Sequence, residues 1–202
     1  SDKPDLRFDL PMTDVSELAG ETDFRVFTAT VGSGGIVKGF VAPGCGSFPQ
    51  SEMRQLEDYA KEIGAAGLAH VRMRGSSELN SLTDEDVVLS SGLRMPLEWS
   101  IRLASKMGAK PGDAILLMAG KTSSVNQWLS ALRTHISELL GLADEDLLAF
   151  GFVTEFPLFE WNDDGNRWDS SHHPFTAPAD GNEHLLDGPD LGKVKSKAYD
   201  LV

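Results

Sequence analysis

Apolar positions recur at spacings of three and four along residues 122–140. Val125, Trp128, Leu129, Leu132, Ile136, Leu139 and Leu140 carry this helical period, and Gly141 follows as a stop. A second helical stripe, shorter, runs to about Ile63 through Met53, Leu56, Tyr59 and Ala60; Pro49 suits its first turn and Gly64 ends it. Trp99, Leu103 and Met107 give a third helix over 97–107. The nearly unbroken apolar run 114–118 predicts a central strand buried on both faces. Further strands are predicted at 68–73 and 147–153. Residues 24–31 are rich in aromatic and β-branched side chains, and Gly32-Ser33-Gly34-Gly35 separates them from 36–41; the pair predicts a β-hairpin.

Between these elements the pattern weakens. Residues 1–23 are polar, contain Pro4 and Pro11, and read as an extended connector with at most a helical turn near 14–18. Residues 75–91 are polar and acidic and read as a surface excursion. After Thr154 the chain is aromatic and proline-punctuated, with no helical pattern until about Lys193. The predicted organisation is thus an α+β two-layer unit over 24–142, between a connector at 1–23 and a distinct segment at 143–202.

An apolar fraction of 41% supports an ordinary core, whereas a net charge of -13 argues against broad neutralisation of nucleic-acid phosphates. RNA contacts, if made, are expected to be local. Cys45 stands alone, which excludes an intrachain disulfide and a multi-cysteine metal site and fits a reducing compartment. No window approaches the roughly 18 apolar residues that span a bilayer, so a cytoplasmic protein without a membrane partner is expected. The ends, Ser1-Asp2-Lys3 and Asp200-Leu201-Val202, look like cuts through a longer polypeptide.

The most unusual stretch is Trp168 to Pro178, W-D-S-S-H-H-P-F-T-A-P. Its prolines disfavour helix, and in an extended chain neighbouring side chains point to opposite faces. One of His172 and His173 is then free to face a ligand while the other packs; a turn with one packed and one solvated ring fits as well. Gly120-Lys121-Thr122 follows a strand and opens a helix, but Ile115 stands where a phosphate loop needs glycine. Thr122 or Ser123 is more simply a helix cap, and Lys121 remains a candidate phosphate contact. His70, His135 and His184 read as packed or solvated histidines, and no metal site is expected.

Four segments in order resemble the bacterial-type aspartyl-tRNA synthetases, which are class II aminoacyl-tRNA synthetases. S-D-K-P-D-L-R-F at 1–8 is similar to the segment after their second class-defining motif. E-F-P-L-F-E at 155–160 is similar to their D-F-P-L-F-E strand, with Glu155 in place of Asp. H-H-P-F-T-A-P at 172–178 is similar to their histidine loop, and A-Y-D-L-V at 198–202 to a helix start. Gly67-Leu68-Ala69, Gly112-Asp113 and Ala131-Leu132-Arg133 resemble the GAD insertion domain of the same family, shared with a subunit of an archaeal Glu-tRNA amidotransferase.

The resemblance implies an antiparallel sheet with helices, flanked by pieces of a class II catalytic core. It implies a homodimeric parent that activates L-aspartate with ATP and Mg2+ and transfers it to the 3′ end of tRNA. His172, and His173 beside it, are then expected to bind substrate aspartate, since a nearby carboxylate favours the charged imidazole. Lys121 and Arg133 are expected tRNA contacts, within a looser basic set of Arg94, Arg102, Lys106 and Lys110. With the ATP-gripping motifs outside this span, the chain alone is expected to be inactive. Two alternatives stay open: a GAD domain of the amidotransferase subunit, and a structural insert with no RNA contact.

Overall fold

The computed structural model describes residues 5–75, 78–144, 146–173 and 175–202. They divide into two compact units. One is Phe8–Asp144; the other joins the described residues up to Arg7 with those from Asp146 onward.

The larger unit is built on a five-stranded sheet. Its strands are β1 (Thr13–Asp14), β2 (Ile36–Ala42), β3 (Ala69–Met73), β4 (Val87–Leu89) and β5 (Ala114–Gly120), in the order β1-β2-β5-β3-β4. Every pairing is antiparallel; Phe40 opposes Leu116, and Val71 opposes Ile115. As the apolar run at 114–118 predicts, β5 is central, and Ala114 to Met118 are all buried.

Alternation along β5 sends its side chains to two cores. Ala114, Leu116 and Met118 join α3 (Gln50–Glu62) and α5 (Thr122–Leu140) through Met53, Leu56, Val125, Leu129, Leu132 and Ile136. Ile115 and Leu117 face the opposite way, onto α1 (Ser16–Gly20), α2 (Arg25–Gly32) and α4 (Leu97–Met107), where Leu18, Phe27, Trp99 and Leu103 are buried. Each fully buried side chain of this size contributes roughly 1.5–3 kcal/mol. The closeness of the packing shows at Gly39 in β2: a Cβ there would lie 2.1 Å from the carbonyl oxygen of Leu116.

The α+β class on an antiparallel sheet is as predicted, but three local expectations fail. Residues 24–31 form no hairpin; Arg25–Gly32 is α2. Phe27 is buried, Phe24 and Val31 pack beside it, and Val26 is half exposed, so the segment has a helical face. Burial of that face outweighs the strand propensity of its aromatic and β-branched residues. The glycine-rich stretch ends this helix, with Gly35 N–H donating to Thr30 O and Gly34 N–H to Val31 O. Because α2 covers the second face of the sheet, the unit has three layers rather than two.

Residues 8–23 are not an extended connector. Phe8, Leu10, Val15, Leu18 and Ala19 are buried, β1 pairs with β2, and Trp99 Nε1 donates to Leu18 O at 3.0 Å. The excursion at 75–91 likewise returns to the sheet as β4 and buries Leu82.

The smaller unit holds two short ladders. β6 (Phe152–Val153) pairs with β9 (Asp200–Leu201), and β7 (Phe159–Asn162) pairs with β8 (Arg167–Ser170). The strand predicted over 147–153 shortens to β6, and the helix start implied at 198–202 is instead a strand. In β7 and β8, Trp161 opposes Trp168 with ring centroids 5.4 Å apart.

Candidate functional site

The histidine pair lies in the smaller unit, just past β8. Three extended segments are stitched together there without regular strand assignment. Leu158 N–H donates to Val194 O at 2.9 Å, and Ser196 N–H donates to Phe156 O at 2.8 Å. Ala179 N–H donates to Lys195 O and Lys197 N–H to Ala177 O. Residues 194–197 therefore form a spine between 156–158 and 177–179, with Val194 and Ser196 buried in it. Ser171 N–H donates to Leu158 O at 3.0 Å, which anchors the start of the histidine loop to the same frame.

The two imidazoles then differ. His172 is partly buried and meets the Phe156 ring edge-to-face at 5.5 Å, and its backbone oxygen accepts from Ser170 Oγ. Its Nε2 is withdrawn from solvent without a hydrogen-bond partner among the described residues, and so is Ser171 Oγ. An unsatisfied buried polar atom costs about 1–3 kcal/mol. His173 is exposed; its Nδ1 accepts from Phe175 N–H at 3.3 Å, and its carbonyl accepts from Thr176 N–H. Phe175, 90% exposed, lies 4.9 Å from the His173 ring. Pro174, between them in sequence, lies outside the described residues.

Glu155 opens the facing segment with φ of +61°, a left-handed conformation that costs a β-carbon residue about 1–2 kcal/mol. Strain at the edge of a candidate site is a positioning device when the surrounding hydrogen bonds hold it. No local signal in the sequence marks the 194–197 spine, because its pairing reaches across as many as forty residues.

Lys121 and Arg133 are in the other unit. Lys121 occupies the cap position of α5, exposed, without a side-chain capping bond, so neither Thr122 nor Ser123 is the cap. Lys38 Nζ donates to Asn126 Oδ1 one turn further on. Arg133 is engaged: its Nε donates to Leu10 O at 2.7 Å, and its guanidinium lies 4.4 Å from the centre of the Phe8 ring. The looser basic set does not converge, since α4 with Arg102 and Lys106 covers one face of the sheet and α5 the other. Arg102 is further held by a bidentate pair with Glu21.

The remaining chemistry-bearing residues are structural. Burial, with Asp113 and Glu52 nearby, pushes the Cys45 thiol up to about 12, which leaves no thiolate nucleophile at neutral pH. Burial, then Arg72, pushes His70 down to about 4. His135 stacks on Tyr59 at 4.1 Å, and His184 is exposed in a short turn. Among the described residues no group of three or more His, Cys, Asp or Glu is arranged to hold a metal ion, and no helix is long and apolar enough to cross a membrane.

The aspartate–tRNA(Asp/Asn) ligase of Dehalococcoides mccartyi strain 195 is 43% identical over 202 residues, covering 100% of this chain and 34% of that protein. The ligase of the same name from Geotalea uraniireducens is 38% identical over 205 residues, with 100% and 32% covered. The aspartate–tRNA ligase of Agathobacter rectalis is 39% identical over 203 residues, again with 100% and 32% covered. The chain therefore spans about a third of the length of the curated relatives it matches. The family model described as GAD domain matches residues 27–129, most of the three-layer unit, and on that match the chain belongs to the GAD domain family.

Proposed function

We propose that this chain is the insertion-domain portion of an aspartate–tRNA ligase, together with the segment that carries an aspartate-binding loop. The carrying observation is that about 40% identity to aspartate–tRNA ligases extends over the whole chain, including 146–202, which the GAD domain does not explain. That coverage favours a ligase over an amidotransferase subunit. The parent activates aspartate with ATP and Mg2+ and transfers it to tRNA, in a cytoplasmic homodimer.

Within that reading, His172 receives a carboxylate of the substrate. Its Nε2 has no hydrogen-bond partner among the described residues, and the Phe156 ring packs edge-to-face against the imidazole. A neutral amide in place of the carboxylate, as in asparagine, forms a weaker bond to that ring. His173 holds the loop's turn through Nδ1 and its carbonyl, so it orients the neighbouring imidazole as well as lining the loop.

For RNA, Lys121 at the start of α5 is the proposed contact, where helix-end N–H groups and an ammonium both suit phosphate. Arg133 is better assigned to clamping residues 8–10 onto α5. His172→Ala in the full-length enzyme is expected to raise the aspartate KM at least about tenfold with the ATP KM unchanged. Equal effects on both substrates, or none, contradict the assignment.

A further inference from the structure

Where β3 begins beside β5, the larger unit opens an unassigned pocket of about 290 Å3, near the lower end of the range for small-ligand sites. Phe24, Phe27, Leu117 and Ala119 line its apolar wall, and the two phenylalanine rings meet edge-to-face at 4.9 Å. Glu57 lines it with a carboxylate that lies 3.7 Å from His70 Nδ1 and within electrostatic reach of Lys61. That imidazole, wholly buried, supplies no positive charge at neutral pH. Lys61 also lines the pocket, but its ammonium is committed to Asp58 at 2.9 Å. Ser90, also in the lining and only 8% exposed, takes one hydrogen bond from His70 N–H and keeps a lone pair.

An apolar wall beside a carboxylate and a hydroxyl oxygen suits a cationic donor head on an apolar body. A net charge of -13 further favours cations over phosphate-bearing ligands. We propose that this pocket binds a small apolar monoamine, with its aromatic body against Phe24 and Phe27 and its ammonium at Glu57 and Ser90. The site shares no residue with the histidine loop and does not depend on the aspartate assignment.

The test is a titration of the isotope-labelled chain with tryptamine, followed at the amides of Gly67, Ser90 and Ala119. Saturable shifts at these amides are expected. Glu57→Gln weakens binding by at least about tenfold, the scale of about 1.4 kcal/mol. Val26→Trp, on the half-exposed rim residue, abolishes it. Indole-3-propionate, with the same body and an acidic head, gives no shifts in the unmutated chain, which keeps the test valid if Glu57→Gln does not fold. Absence of saturable tryptamine shifts, unchanged affinity in Glu57→Gln, or equal binding of the acid overturns the proposal.

Discussion

The two units differ in how much of their apolar surface they bury themselves. The Phe8–Asp144 unit holds all but two of the buried apolar residues described, and its exposed large apolar side chains are Val26 and Leu139. The other unit buries Leu158 and Val194, and leaves Phe150, Phe152, Phe175, Tyr199 and Leu201 each more than 60% exposed. The first is a complete three-layer structure. The second is a set of short ladders whose aromatic face suits cover by other parts of a larger protein. A unit that buries its own apolar surface can fold alone, whereas one that leaves it exposed takes its stability from what covers it.

The contrast is sharpest in side-chain truncation. Leu129→Ala, at a fully buried position on α5, is expected to cost about 3 kcal/mol in the denaturant unfolding of the larger unit. Phe150→Ser, at a position 70% exposed, is expected to change stability by less than about 0.5 kcal/mol. Comparable losses from the two would erase the distinction drawn between the units.

A pH series separates the units next. Burial holds His70 at about 4, below its ordinary 6.5, so the unfolded chain binds the proton more readily than the folded one. The stability contributed is fully present above pH 6.5, falls as pH drops through the window from 6.5 to about 4, and totals on the order of 3 kcal/mol. Denaturant midpoints at pH 7 and 4.5 measure it. Against the unmutated chain, His70→Asn should flatten the dependence in this window; identical slopes would show that His70 does not carry it.

The smallest effect belongs to Glu155. Its φ of +61° suits asparagine better than glutamate, so Glu155→Asn is expected to relieve up to about 1 kcal/mol. The readout is increased amide protection at Leu158 and Ser196, whose N–H groups bond within the loop frame. Unchanged or reduced protection would mean that the left-handed backbone is not a source of strain.

The sequence made some of this structure legible and hid the rest for physical reasons. Helix α5 runs over 122–140 as its period predicts, and β5 is the buried central strand of 114–118, because both patterns are local and repeated several times. Helix α2 was hidden, since Phe24, Phe27 and Val31 mark its buried side with only two turns while the intervening residues favour strand. Residues 8–23 were hidden because their five buried apolar residues follow no single period. At the histidine loop, the adjacent imidazoles and prolines mark the segment, but which ring turns inward depends on Phe156 and on pairing with 194–197.

Hydrogen exchange on the isolated chain tests the central claim most directly. Slow exchange across β2, β3, β5, α3 and α5, with only weak protection over 146–202, is the result expected of a self-sufficient unit attached to a dependent one. Protection of equal strength in both regions, lost together in a single unfolding transition, would contradict it.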